Sequence, residues 1–318
     1  LVLITKLMNI LLPSMHPDVD EAFFLLSKNT DHNIYFLDQS WVPVIKYGLK
    51  YTASTKNRVT ISYQEFLDTD IIDAVINPCF EQQNDVINNI INKKGSSVKY
   101  ISYYGNEYHT GVINFNYFKN VLSANLHAYQ VGKLQGVHSS HILLPVDYEV
   151  FQEAPEESLT VLNSYINSYG EFWAHSLALY SQCTAQFPNL DFRRYGVGEP
   201  NGYISGPNLY DSFKEEIATM HIKEKEGYGF ATIQSLATGR PIIAFKPFVR
   251  GKTMERWITD ETSIILESTA EFKSKLDRYL TDETYRHNLQ HNAAVKIREI
   301  INFEEQQQVF NNFLEELI

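Results

Sequence analysis

The residues of this chain best suited to chemistry lie between Lys225 and Phe245. Glu226 precedes Gly227-Tyr228-Gly229, and Gln234 and Arg240 follow downstream. Two glycines let a backbone turn sharply and bring its N–H groups close to a ligand with no Cβ in the way. That makes a loop with an acid at its lip. Phe230, Ile233, Leu236 and Ala237 then recur at helical spacing, with Thr232 and Gln234 off that face. A helix starting there would turn its partial positive charge and its first N–H groups back towards the glycine loop, which suits a phosphate. Thr238-Gly239 stops the helix, with Pro241 behind it, and Ile242-Ile243-Ala244-Phe245 reads as a buried parallel strand. Loop, helix, turn and strand make half of a nucleotide-binding α/β unit.

A second group of polar residues, Tyr104-Gly105-Asn106-Glu107-Tyr108-His109, follows a predicted strand over Val98–Tyr103. Residues just past the carboxyl end of a parallel strand face the crevice where such sheets bind ligands, so Asn106, Glu107 and His109 are candidates there. His16, in the loop after the first strand, is read as a solvated surface residue.

The pattern of Glu226, Gly227, Tyr228, Gly229, Gln234, Ala237, Gly239 and Pro241 resembles the E-G-[FY]-G-x-x-x-x-E-x-x-A-x-G-x-P signature of glycosyltransferase family 4. It covers most of the second half of the chain. The segment Ile142 to Phe151 is similar to the V-x-P-N-G-V-D-x-x-x-F crossing of that family. The resemblance implies a GT-B fold: α/β, two facing Rossmann-like domains, and a C-terminal helix crossing back to the first. It implies transfer of a sugar from a nucleotide-sugar donor, a UDP- or GDP-sugar, with retention and without a metal or other cofactor. Glu226 would orient the donor sugar, and the backbone of Gly227, Tyr228, Gly229 and Phe230 would approach the diphosphate. A histidine or its neighbours near Asn106 and His109 would face the donor sugar. Gln234 stands where the family has a second Glu on the ribose hydroxyls.

A second departure is larger. The family places an Arg and a Lys after the first strand of the second domain to grip the diphosphate, and Asn163 to Gly170 contain no basic residue. Arg240, Lys246, Arg250 and Lys252 are the expected substitutes. The acceptor is left open between a saccharide, a lipid-linked sugar and a modified nucleic acid. Two other readings also stay open: a degenerate member of the fold that binds a nucleotide or sugar without turnover, and a transferase acting on modified bases in DNA.

Composition narrows the classes. A net charge of −11 argues against a sequence-blind grip on nucleic acid or anionic lipid, which needs clustered Lys and Arg. No apolar run approaches the ~20 residues of a spanning helix, so a soluble, cytoplasmic protein is expected. Cys79 and Cys183 have no second Cys or His at ligand spacing and read as buried thiols. Asp18-Val19-Asp20 and Asp68-Thr69-Asp70 carry the spacing of a metal-binding acid pair, but the first opens a predicted helix and the second sits in a polar stretch, so cap and surface roles are expected.

Strands are predicted over Asn9–Leu12, Asp31–Leu37, Val59–Ile61, Ala74–Ile76, Val98–Tyr103, Val121–Ser123 and Ile142–Leu144, with helices at Asp18 onward and over Asp85–Ile91. Such alternation gives a parallel sheet covered on both faces. Gln152 to Ser158, rich in Glu, Ala and Pro, has linker composition, which sets domains over 1–150 and 151–300 and a final helix over 301–318. In the second domain strands are predicted over Leu159–Leu162, Leu190–Tyr195 and Met220–Ile222, ahead of the glycine loop.

Overall fold

A computed structural model describes residues 7–12, 17–28, 32–37, 59–78, 92–105, 119–225 and 228–317. The chain divides into two units, residues 1–145 with 301–318, and residues 146–300.

In the first unit the described strands are β1 (Asn9–Leu12), β2 (Asn33–Leu37), β3 (Val59–Ile61), β4 (Ala74–Pro78), β5 (Lys99–Tyr104), β6 (Asn120–Ser123) and β7 (His138–His141). They form one sheet in the order β3-β2-β1-β4-β5-β6-β7, parallel throughout. The order reverses at β1, where Ile10 pairs with Ile34 on one side and Ala74 on the other. This is the doubly wound arrangement, in which ligands bind outside the carboxyl ends of the strands where the order reverses. Ile10, Leu11 and Leu12 are fully buried because helices cover both faces.

The last predicted strand of this unit is displaced. Ile142–Leu144 is buried past the end of the ladder, joined to it only by Ile142 N–H donating to Ser123 O (2.9 Å), and His138-Ser139-Ser140-His141 pairs with β6 instead. An edge strand needs no apolar run, because only one side of its backbone is paired and one face packed. Leu143 N–H instead donates to Gln306 Oε1 (2.7 Å) on the final helix.

Helix α1 (Pro17–Ser27) buries Val19, Ala22, Phe23 and Leu26, the face expected from their spacing. Two helices went unpredicted: α2 (Tyr63–Asp68), which opens with a capping box between Ser62 and Glu65, and α3 (Leu126–Leu134), capped by Asn125. The chain's last helix, Phe303–Glu315, packs on this unit. Phe310 meets Phe23 at 5.6 Å between ring centroids, and Phe313 stacks on His138 at 4.5 Å.

The second unit contains β8 (Val161–Tyr165), β9 (Asp191–Tyr195), β10 (Ala218–Met220), β11 (Ile242–Phe245) and β12 (Ser263–Leu266), all parallel, in the order β12-β11-β10-β8-β9. Its reversal lies between β8 and β10. Strand β8 runs further than predicted, through Asn163 and Ser164. Both are fully buried, because β9 and β10 pair with this strand on its two sides.

Around this sheet lie α4 (Tyr169–Phe172), α5 (Ala174–Thr184), α6 (Pro207–Glu215), α7 (Phe230–Ala237), α8 (Lys246–Val249), α9 (Phe272–Thr281) and α10 (Glu283–Ile300); Phe303–Glu315 is α11. Cys183 is buried, and its thiol is pushed up to about 12 by that burial, so it behaves as a small core side chain. Cys79 and the predicted helix Asp85–Ile91 lie outside the described residues.

The segment with linker composition is a strap. Arg240, Arg286 and Arg298 hold it to the second unit through the carbonyls of Phe151, Ala154 and Pro155 and the carboxylate of Glu156. The units part at Pro145/Val146, upstream of the boundary expected near residue 150. Composition reports which residues a linker tolerates, and it is blind to arginines arriving from elsewhere in the chain.

Candidate active site

Helix α7 follows β10, so its N-terminus lies at the carboxyl edge of the second sheet, beside the reversal between β8 and β10. Gly229 occupies the N-cap position at φ 76°, a left-handed conformation that strains any residue with a Cβ, and it has no side chain of its own to cap the first turn. The loop is anchored from beneath by aromatic packing. The Tyr228 ring meets those of Phe230 at 4.9 Å and Trp257 at 5.5 Å, while Trp257 Nε1 donates to Thr232 Oγ1 (3.0 Å). Thr232 Oγ1 in turn donates to the Gly229 carbonyl (2.7 Å). With their side chains turned into the core, Tyr228 and Phe230 can meet a ligand only through their backbone.

The helix is buried on every side, against the expected polar face: Thr232 is fully buried and Gln234 nearly so. Gln234 makes no side-chain hydrogen bond to the described residues. It stands one turn inside the helix, about 5–6 Å along the axis from the first residue.

The other end of α7 is closed by the protein itself. Arg240 N–H donates to Ser235 O (2.9 Å) and Gly239 N–H to Leu236 O (2.9 Å), the paired bonds of a Schellman motif. Arg298 donates to Ala237 O (2.9 Å). The Arg240 side chain corrects the reading that it could replace a diphosphate-gripping cation. It is fully buried, and its guanidinium donates to Phe213 O (2.8 Å), Ala154 O (2.7 Å) and Pro155 O (2.9 Å), with longer bonds to Thr238 O and Lys214 O. Five backbone carbonyls take its donors, so none is left for a ligand.

Beneath the same helix lies a buried carboxylate. Glu216 accepts from Thr219 Oγ1 (2.5 Å) and Asn163 N–H (3.0 Å), and Thr219 Oγ1 is 2.7 Å from Ser235 Oγ on α7. Burial pushes the Glu216 carboxyl up to about 8, opposed by the hydrogen bond from Thr219 and the charge of Arg240.

At the reversal, the loops leaving β8 and β10 are stitched together. The Tyr169 hydroxyl donates to the Ile222 carbonyl, and Glu224 N–H donates to Ser176 Oγ (2.9 Å). The His175 ring lies 3.2 Å from the Glu224 carboxylate, and the Lys223 ammonium sits 5.0 Å over the Trp173 ring. The β8 loop is also held from the other side. Ser168, at φ 49°, donates its N–H to Val197 O (2.7 Å), and Tyr169 N–H donates to Glu199 Oε1 (2.7 Å). The other Glu199 oxygen pairs with Arg194 at 3.1 Å, so that cation is matched by an internal acid.

Of the sequence candidates, Tyr228, Gly229, Phe230 and Gln234 are brought to this edge, and Arg240 is removed from it. Glu226, Gly227, Asn106, Glu107, His109 and His16 lie outside the described residues. Lys246 is paired with Glu267 at 2.6 Å, Arg250 is exposed, and the Lys252 ammonium donates to the carbonyls of Glu224 (2.6 Å) and Phe248. The two acid pairs take other roles: Asp18 and Asp20 sit in the first turn of α1, and Asp68 accepts from Gln64 (2.9 Å) at the end of α2. No group of three His, Cys, Asp or Glu side chains converges among the described residues.

Sequence reasoning did not bring Lys223 and Trp173 together. Lys223 is closer to Glu226 than any of the four downstream basic residues, a signal that was present. Trp173 carried none, because its approach to Lys223 depends on β8 and β10 being neighbours.

No family model matches the chain, and no curated protein matches it in sequence. Solved structures do match. HepE of Anabaena, in complex with UDP-glucose, superposes with a TM-score of 0.67 at 12% identity over 96% of this chain and 99% of that one. Sucrose-phosphate synthase from Thermosynechococcus elongatus gives 0.65 at 11% identity, over 98% and 99%. TarM gives 0.61 at 13% identity over 79% of this chain, which spans only 56% of TarM. The fold is GT-B. Gly229, α7 and the β8 and β10 loops stand on the carboxyl edge of its second sheet. No helix among the described residues is long and apolar enough to cross a membrane.

Proposed function

We propose that this chain is a glycosyltransferase that moves a sugar from a nucleotide-sugar donor, a UDP- or GDP-sugar, to an acceptor, with retention and without a metal. The carrying observation is the N-terminus of α7: a glycine-capped helix start at the reversal point of a doubly wound sheet in a GT-B chain. Helix N–H groups and their partial charge stabilise a diphosphate, including the charge it gains as a leaving group. In this reading Glu226 orients the donor sugar hydroxyls, the backbone from Gly227 to Phe230 faces the diphosphate, and Gln234 meets the ribose. Asn106 and His109 are the further candidates for the sugar in this reading. The acceptor is a saccharide, a lipid-linked sugar or a modified nucleic acid.

The test is a thermal-shift screen of UDP-, GDP-, ADP- and dTDP-sugars, followed by release of free nucleotide from any that bind. A donor at about a hundred times its Kd adds ~2.7 kcal/mol. UDP-glucose, the ligand in the HepE structure, is the first to try. If no nucleotide sugar raises the melting temperature at millimolar concentration, the reading fails.

A further inference from the structure

Strand β10 ends at Met220, and after Tyr165 the chain leaves β8 for α4, so the sheet stops before the chain reaches α7. On the β11 side the backbone ladder still continues, with His221 N–H donating to Ile243 O (2.9 Å). On the β8 side hydroxyls take over. The Tyr169 hydroxyl donates to Ile222 O, and Ser176 Oγ accepts from Glu224 N–H (2.9 Å). In an extended chain the carbonyl of one residue and the N–H two residues on point to the same side, so these two hydroxyls stand in the places of a neighbouring strand.

Resting on the reading above, we propose that Tyr169 is a positioning residue for donor binding: it fixes residues 221–225, the described stretch of chain that runs from β10 towards Gly229 at the start of α7. Tyr169 is fully buried, so it touches no ligand and acts through Ile222. It is itself held from several sides. Its N–H donates to Glu199 Oε1 (2.7 Å), its ring meets that of Tyr180 at 5.7 Å, and its hydroxyl also lies 3.4 Å from Ser176 O. Ser168 before it sits at φ 49°, a backbone state that persists only where the surroundings over-determine it. The β9 loop supplies that constraint: Ser168 N–H donates to Val197 O (2.7 Å), and Val197 N–H donates to Asn167 Oδ1 (2.9 Å). The loops leaving three neighbouring strands are thereby locked in series. Glu199 after β9 sets Tyr169 after β8, and Tyr169 sets Ile222 after β10.

Tyr169→Phe removes the hydroxyl and keeps the ring. Calorimetric titration of the full chain with uridine and guanosine diphosphates should then show an affinity about three- to tenfold lower for whichever binds, because the loss of one net hydrogen bond lowers the fraction of chains on the binding path. Hydrogen exchange in the ligand-free protein should quicken over residues 221–225 and stay as in wild type within β8 and β10. Ser176→Ala, which removes the second attachment, should move both readings in the same direction, and it carries the test if Tyr169→Phe does not fold. Tyr180→Phe should change neither, since that hydroxyl is buried with no hydrogen-bond partner among the described residues. Diphosphate affinity within about twofold of wild type in both Tyr169→Phe and Ser176→Ala, or quickened exchange spread through β8 and β10, makes Tyr169 a core side chain and overturns the assignment while leaving the transferase reading standing. A wild-type chain that binds no diphosphate overturns both.

Discussion

The two ends of α7 are built on opposite plans. At its C-terminal end Arg240, Arg298 and Gly239 satisfy carbonyls of the helix and of the 151–155 strap, and every group that could serve a ligand is engaged by the protein. At its N-terminal end Gly229 contributes no side chain, and the aromatic rings beneath it fix the backbone without reaching over it. The same eight-residue helix is thus an anchor at one end and a presentation surface at the other. Charge alone does not tell a binding residue from a structural one. Arg240 is a cation near the glycine motif, and the five carbonyls it serves make it structural.

The largest expected effect lies at the anchored end. Arg240→Ala removes the guanidinium donor from the carbonyls of Phe213, Ala154 and Pro155, while Thr238 O and Lys214 O keep the N–H groups of Ala154 and Glu157, and breaking such a cluster costs about 3 kcal/mol. Denaturant titration should show that loss, and Arg240→Lys should recover only part of it, since an ammonium cannot fork to three separate segments. A stability near wild type in Arg240→Ala would mean that the strap is held by other contacts.

Next comes Glu216, under the same helix. Its folded carboxyl titrates near 8 against an ordinary value of 4.5. Between those two values the folded chain keeps a proton that the unfolded chain has released, so stability falls as pH rises through the window and levels off above it. The size is on the order of 3 kcal/mol at about 1.4 kcal/mol per unit, allowing for relaxation of the site. Glu216→Gln mimics the protonated acid. It should match wild type at pH 5, exceed it at pH 8.5 and flatten the curve of melting temperature against pH; parallel curves for the two proteins would refute the assignment.

At the presenting end the effects move from stability to turnover. Glu226→Ala should lower kcat by about ten- to a hundredfold, the worth of ~1.5–3 kcal/mol for a charged hydrogen bond made in the transition state. The melting temperature should stay within a degree or two. Steady-state kinetics with the donor found by screening reads the first and calorimetry the second, and a large stability loss would place Glu226 with the anchors.

The parallel alternation was legible because strands buried on both faces must be apolar: Asn9–Leu12 and Ile242–Phe245 fall where the sequence places them. Helix α3 was not, because Leu126 and Leu134 are exposed and spoil its apolar stripe. Nor was β7, whose His-Ser-Ser-His reads as loop until β6 is known to lie beside it. At the site, glycine followed by helix was readable as a local pattern. The fates of Arg240 and Lys223 were not, since each depends on residues 50 or more positions away. Local conformation is written in neighbours, and the occupation of a charge is written in the fold.

Gln234 sharpens the comparison most finely, because it lies between the two ends. The residue is nearly fully buried, and its side chain makes no hydrogen bond to the described residues. A polar group in that state lowers stability unless something else uses it. If the ribose of a bound nucleotide is its partner, Gln234→Leu should separate two measurements. The ligand-free protein should hold its melting temperature, since an amide with no hydrogen bond to the described residues is replaced by an apolar group of similar size. Donor affinity should meanwhile fall by ~1–3 kcal/mol, the cost of leaving ribose hydroxyls unpaired. Gln234→Glu should stay within about tenfold of wild type in affinity, because stronger charge-assisted bonds to the ribose are offset by a second negative charge near the diphosphate. Titrating the three proteins with one donor, alongside their unliganded melting curves, separates the cases. A Gln234→Leu protein that binds like wild type places the ribose elsewhere, and one that loses stability without ligand makes Gln234 one more anchor of α7.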